Sequence, residues 1–180
     1  HRVVISHGDL DHSGGLRWLK RHHLIQSLLT GEPKRIGGQP CYQGQTWHWD
    51  GVTFSMMAPP LGRWDQGNAS SCVLMIQTGH RQVWLTGDIS QAQEARLQGM
   101  SRVEILQVPH HGSRFSSSLA WLSRMRPKNA VLSVGRSHPY GHPHPSIIKR
   151  YHQLGIRLWR TDQLGSIAWR CQPSGCQLDE

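Results

Sequence analysis

A short apolar run, Arg2-Val3-Val4-Ile5-Ser6, leads straight into His7-Gly8-Asp9-Leu10-Asp11-His12. Four potential metal ligands, His7, Asp9, Asp11 and His12, therefore fall within six residues of one another. A strand end projects the loop that follows it from a rigid sheet, which suits a binding site. An extended loop would place His7, Asp9 and Asp11 on one side, with His12 turning in where a helix begins. Imidazoles and carboxylates together suit zinc, manganese or iron. The competing reading is a polar turn that merely contains such residues, and three further segments weigh against it.

The first is Trp84-Leu85-Thr86-Gly87-Asp88, an apolar strand ending in Gly-Asp. Asp88 reads either as a bridge between two cations or as a helix N-cap, a role Ser90 also suits. The second is Val108-Pro109-His110-His111-Gly112-Ser113. In an extended backbone the two imidazoles would point to opposite sides, one to the site and one away from it. The third is Tyr140-Gly141-His142-Pro143-His144-Pro145, where prolines stiffen the loop and hold both His in place. It reads as a source of a phosphate contact, a general acid or a ligand, or as a rigid lead-in to a helix.

Around these segments the periodicities describe an α/β chain. Leu16–Leu29 has helical spacing with basic residues between, and residues 31–45 read as loop with a short strand. Trp47–Met57 reads as a strand pair, and Cys72–Gln77 with Gln82–Thr86 as a hairpin. Ser90–Leu97, Ser117–Met125 and Pro145–Leu154 are expected helices, and Val103–Val108, Ala130–Val134, Ile156–Arg160 and Ser166–Arg170 expected strands. One domain spanning residues 1–180 is expected, with 37% hydrophobic and 17% charged residues, a globular composition. No apolar run is long enough to span a bilayer, and no signal peptide is evident. The chain opens at His1 without a Met, so it is expected to be a fragment of a longer protein.

The net charge is +9, from 20 Lys and Arg against 11 Asp and Glu, which favours polyanionic partners over neutral ones; simple solubility charge is the alternative. Cys171 and Cys176 flank Gln-Pro-Ser-Gly and read as a small disulfide or as two free thiols, while Cys41 and Cys72 lie far apart. A zinc knuckle lacks two further ligands nearby.

The order strand, His-x-Asp-x-Asp-His, hairpin, Gly-Asp, helix, strand, His-His-Gly-Ser resembles the metallo-β-lactamase superfamily. That superfamily usually carries His-x-His-x-Asp-His, and here Asp9 replaces the second His. This departure, with the Tyr140–Pro145 and Arg160-Thr161-Asp162-Gln163-Leu164-Gly165-Ser166-Ile167 segments, is similar to the C-terminal domain of the ComEC family of DNA-uptake proteins. The resemblance implies an αββα sandwich lacking its N-terminal strands, because only a few residues precede His7. It implies one or two divalent ions, zinc or manganese, with His7 and Asp9 at one, Asp11 and His12 at the other, and Asp88 bridging. His110 would complete the second site, with His111 as the alternative. Asn68 stands where the superfamily usually offers another His, and Asn is a poor transition-metal ligand.

The implied activity is metal-dependent phosphodiester hydrolysis of DNA, degrading the non-transported strand; in the mechanism expected for it, Asp11 orients or deprotonates the water and His142 protonates the leaving group or clamps the phosphate. The implied partners are DNA and a membrane channel domain of the same full-length chain. That places the whole protein at the inner membrane with this soluble domain on its outer face. The alternatives are hydrolysis of another small phosphodiester or ester, or a non-catalytic DNA-binding module with a vestigial metal site.

Overall fold

A computed structural model describes residues 1–97, 103–136, 140–172 and 174–179. Its larger sheet has seven strands: β4 (Thr46–Trp49), β5 (Val52–Ala58), β6 (Val73–Thr78), β7 (Arg81–Leu85), β8 (Val103–Gln107), β9 (Asn129–Leu132) and β10 (Arg157–Arg160), in the order β10-β9-β8-β7-β6-β5-β4. A smaller sheet, β1-β2-β3, pairs β1 (Arg2–Ile5), β2 (Ser27–Thr30) and β3 (Gln39–Pro40), all parallel. A terminal hairpin joins β11 (Ala168–Gln172) to β12 (Gly175–Asp179).

Strand alternation explains the layers. In β6, Val73 and Met75 face one core while Leu74 and Ile76 face the other. The first core packs this sheet, through Trp84, Leu106, Ala130 and Leu132, against Trp121, Leu122 and Met125 of α5 (Leu119–Met125) and Ile147 and Tyr151 of α6 (Pro145–Gln153). The second packs Met56, Leu74 and Cys72 against Leu29 and Cys41 of the smaller-sheet side, with Val4, Trp47 and Phe54 around them. Trp84, Trp121 and Tyr151 are fully buried, each such side chain contributing roughly 2–3 kcal/mol. The expected α/β class and the facing sheets are thus both present.

Parallel strands need long connections, and these are helical. Between β1 and β2 lie α1 (Leu10–Ser13) and α2 (Leu16–His22), and α3 (Pro33–Ile36) precedes β3. In the larger sheet, α4 (Gln91–Glu94), α5 and α6 link β7, β8, β9 and β10, the last followed by α7 (Thr161–Leu164). The parallel strands therefore share an orientation, and the chemistry-bearing segments collect beyond their carboxyl ends, the usual place for a site in parallel sheets.

Several sequence expectations change. Residues 31–45, read as loop with a short strand, also hold the single turn α3, and the helix expected over Ser90–Leu97 is confined to Gln91–Glu94. Leu16–Leu29 is not one helix: α2 ends at His22, His23 is extended, and β2 begins at Ser27. The apolar spacing fits both states, and pairing with β1 in the register Val4↔Leu29 decides it, burying Leu29. The cysteines are all paired. Cys171–Cys176 closes the terminal hairpin across β11 and β12, so the free-thiol reading does not hold. Cys41 and Cys72, 31 residues apart, form a second disulfide, because the facing sheets bring the residue after β3 to the residue before β6.

Candidate metal centre

His7 follows β1 and is fully buried. Asp9 is the N-cap of α1, so the loop is extended only as far as Asp9, and Asp11 and His12 sit on the helical turn itself. That turn carries His12 back over β1. The ring centroids of His7 and His12 are 4.3 Å apart. The hydroxyl of Ser6 lies 3.1 Å from the Nδ1 of both rings, fixing them with Nε2 inward.

Asp88 enters from the end of β7. Gly87 has φ +55°, and a Cβ there would come within 2.8 Å of the Ser6 Cβ and 3.1 Å of the Ser71 Cβ, so only glycine fits. The Gln107 Oε1 accepts the Thr86 and Gly87 amides at 2.9 and 3.2 Å, and the Asp88 amide donates to the Ser71 hydroxyl at 3.2 Å. Asp88 does not cap the helix that follows. Ser90 does, its hydroxyl accepting the Ala92 amide in a capping box with Gln93.

His110 and His111 are not extended, contrary to the sequence reading. Both have left-handed backbones, φ 51° and 50°, so strand alternation does not govern them and both Nε2 atoms approach Asp88. Such conformations cost about 1–3 kcal/mol each and persist where surrounding contacts impose them. Here the His110 amide donates to the Gly87 carbonyl, and Gly112 lies so close to Pro143 that a Cβ would approach it at 2.7 Å.

The other six expected ligands gather around the Asp88 carboxylate, four directly and Asp9 and Asp11 through the imidazoles. His7, His12, His110 and His111 present Nε2 to its oxygens at 3.9, 3.3, 3.8 and 3.8 Å. Asp9 Oδ2 is 3.5 Å from His7, and Asp11 Oδ2 is 3.7 Å from His12 and 3.2 Å from His111. Two triads of donors form, His7-His12-Asp88 and Asp11-His12-His111. His111, rather than His110, thus stands with Asp11 and His12. His110 sits beside Asn68, whose Nδ2 is 3.3 Å away, and its ring meets that of His142 edge-on at 5.6 Å. His142 lines the cleft mouth with Asp9, Asp11 and Tyr140. His144 lines the same cleft farther out, and its Nδ1 accepts the Ser146 amide at the start of α6.

These donors fit a cation. The Ser133 carbonyl accepts the hydrogen of His111 Nδ1 at 2.7 Å, which leaves Nε2 of that ring turned toward the centre. That Nε2 lies 3.2 Å from the Asp11 carboxylate and 3.2 Å from His12 Nε2. His7 Nε2 and Asp88 Oδ1 are buried and make no hydrogen bond with any described residue. Burial would raise the Asp88 pKa, but contact with His12 and the imidazoles of His12, His111 and His110 hold it below the usual carboxylate value. Burial, then the neighbouring His12, push His7 down; burial also opposes charge on His12, but Asp88 outweighs it and His12 lies above the usual histidine value.

Residues that no local motif flags complete the centre. Arg35 of α3 donates to Asp9 Oδ1 at 3.0 Å and lies 3.6 Å from Glu32, whose carboxylate accepts the Gly8 amide. Ser71 lies 3.4 Å from His7 Nδ1.

The family model described as the metallo-beta-lactamase superfamily matches residues 1–136. The chain is 35% identical over 172 residues to recombination protein 2 of Haemophilus influenzae, covering 92% of this chain and 22% of that protein. It is 33% identical over 170 residues to competence protein ComA of Neisseria gonorrhoeae, covering 92% and 24%. The chain therefore spans about a quarter of the length of these curated relatives. Among solved structures, a putative metal-dependent hydrolase of Parabacteroides distasonis superposes with a TM-score of 0.57 at 12% identity, over 89% of this chain and 76% of that one. With its ligand motifs meeting beyond the strand ends of two facing sheets, the chain belongs to the metallo-β-lactamase superfamily.

Proposed function

We propose that this chain is the metal-dependent phosphodiesterase domain of a ComEC-like DNA-internalisation protein, hydrolysing the strand that is not transported. The observation that carries the reading is the convergence of four imidazoles on one buried carboxylate, with the buried His7 Nε2 making no hydrogen bond to any described residue. The relatives named for competence and the net charge of +9 support DNA as the substrate.

His7, Asp9, Asp11, His12, Asp88, His110 and His111 would hold one or two divalent ions, zinc or manganese, with Asp88 shared between them. Bound there, such ions supply Lewis acidity that neutralises phosphate charge and lowers the pKa of a water. The chain's own groups do the rest. Asp11, whose carboxylate is 59% exposed, orients the attacking water and accepts its proton. His142 protonates the leaving oxygen at the cleft mouth. Ser6, Ser71 and the Ser133 carbonyl keep the imidazoles in one orientation.

The test is strand cleavage with manganese or zinc across a salt series, beside turnover of a chromogenic phosphodiester. Salt is expected to weaken DNA cleavage through apparent affinity and to change small-substrate turnover little. Cleavage that persists in Asp11→Ala would expose a contaminating nuclease and defeat the proposal. Metal uptake without any cleavage would favour a binding module.

A further inference from the structure

Residues 12–31 contain no Asp or Glu, and α2 within them carries Arg17, Lys20 and Arg21 at i, i+3 and i+4, one face of the helix. These three cations form no ion pair with any described residue. With Arg35 they line a groove of about 710 Å³ whose wall also includes Gly8 and Ser13 of the ligand segment. Arg35, on the groove wall, donates to Asp9 of the metal centre, so the groove and the centre adjoin at that residue. On the adjoining face of α2, the Trp18 indole is 57% exposed and stacks on His22, with centroids 4.3 Å apart and planes 20° from parallel.

We infer that this groove and the Trp18 ledge are a binding track for single-stranded nucleic acid leading into the metal centre. The inference rests on the polynucleotide-hydrolase reading above and names the form of its substrate. Phosphates lie along Arg17, Lys20 and Arg21, and an unpaired base stacks on the Trp18–His22 pair. Each part answers a different demand. The unpaired cations of α2, Arg17, Lys20 and Arg21, suit a chain of phosphates, because binding releases the counterions those phosphates carry, while Arg35 is already paired with Asp9 and Glu32 and borders the groove. An exposed aromatic face next to such a groove suits bases that are not already stacked in a duplex, and it does so for any base. An anionic membrane surface fits less well. The helix has only seven residues, and its apolar Leu16 points inward to the core rather than toward a lipid surface.

The test uses the 180-residue chain and fluorescein-labelled oligothymidylate, a strand that cannot pair with itself, with binding read by anisotropy in EDTA so that cleavage does not intervene. Arg17→Glu with Arg21→Glu is expected to weaken binding at least about tenfold at low salt. It should also flatten the log–log salt slope by roughly 1.4, two phosphate contacts at about 0.7 each. Trp18→Ala is expected to weaken binding about fivefold or more, with Trp18→Phe recovering most of the loss. Arg124→Glu with Lys149→Glu, exposed charges on α5 and α6, removes the same net charge elsewhere and should leave affinity within about twofold. Melting curves for every variant separate lost binding from lost fold.

Wild-type affinity in the groove variants would overturn the track, even if the wild-type chain cleaves DNA. So would equal losses in the α5/α6 variant, or duplex bound as tightly as oligothymidylate. Binding to phosphatidylglycerol vesicles without oligothymidylate binding would assign the surface to lipid and also overturn it. Conversely, groove-dependent binding by a chain that cleaves neither DNA nor a small phosphodiester would sustain the track while defeating the hydrolase reading.

Discussion

Replacing Cys41 and Cys72 together by Ala cuts the covalent tie between the two sheets. The bond closes a loop of 31 residues. Chain entropy gives about 12 cal/mol/K for such a closure, or roughly 3.7 kcal/mol at 25 °C, lost when the unfolded chain regains its freedom. Both sulfurs also lie in the core with Leu29, Met56 and Leu74, with Cys41 fully buried and Cys72 3% exposed, so the substitution removes packing as well. A total of about 4 kcal/mol is expected, a large share of what a domain of this size has to spare. The assay is equilibrium urea unfolding of the wild-type and Cys41→Ala/Cys72→Ala chains, with stability read from the midpoints and slopes. Cys171→Ala/Cys176→Ala is the internal control. Its bond spans only five residues in an exposed terminal hairpin, for which the same reasoning gives about 2 kcal/mol, confined to that hairpin. A loss below about 1 kcal/mol for the inter-sheet pair, or one no larger than the control, would refute the claim that this bond holds the sheets together.

Asp88→Ala should abolish metal-dependent hydrolysis while sparing the start of α4, because Ser90 supplies that cap; near-normal turnover would rule out a shared role between two ions. Ser6→Ala and Ser71→Ala are each expected to lower zinc affinity by about 10- to 100-fold, read by titration calorimetry, since each releases an imidazole or the Asp88 backbone from its fixed orientation; unchanged affinity would deny them a positioning role. Glu94→Ala should cost roughly 2–4 kcal/mol in urea unfolding, because the fully buried carboxylate accepts the Ser117 and Ser118 amides and both would be left unpaired. A change under about 1 kcal/mol would show that water replaces it.

Local pattern determined a good deal of this protein. The hairpin of β6 and β7, the boundaries of α5 and α6, and the donor segments at His7–His12, Asp88 and His110–His111 are legible because each is written within a few neighbouring residues. Periodicity encodes which face is buried, and residue type encodes which atoms can bind a cation. What the tertiary structure decided lies between distant segments. Leu28 and Leu29 fit a helix as well as a strand until β1 pairs with them, and Cys41 has no visible partner until the sheets face each other. The left-handed turn at His110 and His111 follows from contacts with Gly87 and Pro143, not from propensity, and it is this turn that sets His111 beside Asp11. Arg35 reaches Asp9 across 26 residues of chain. The type of a residue carries its chemistry, but the neighbours that orient it are set by topology, because strand pairing and core packing choose which chain segments meet.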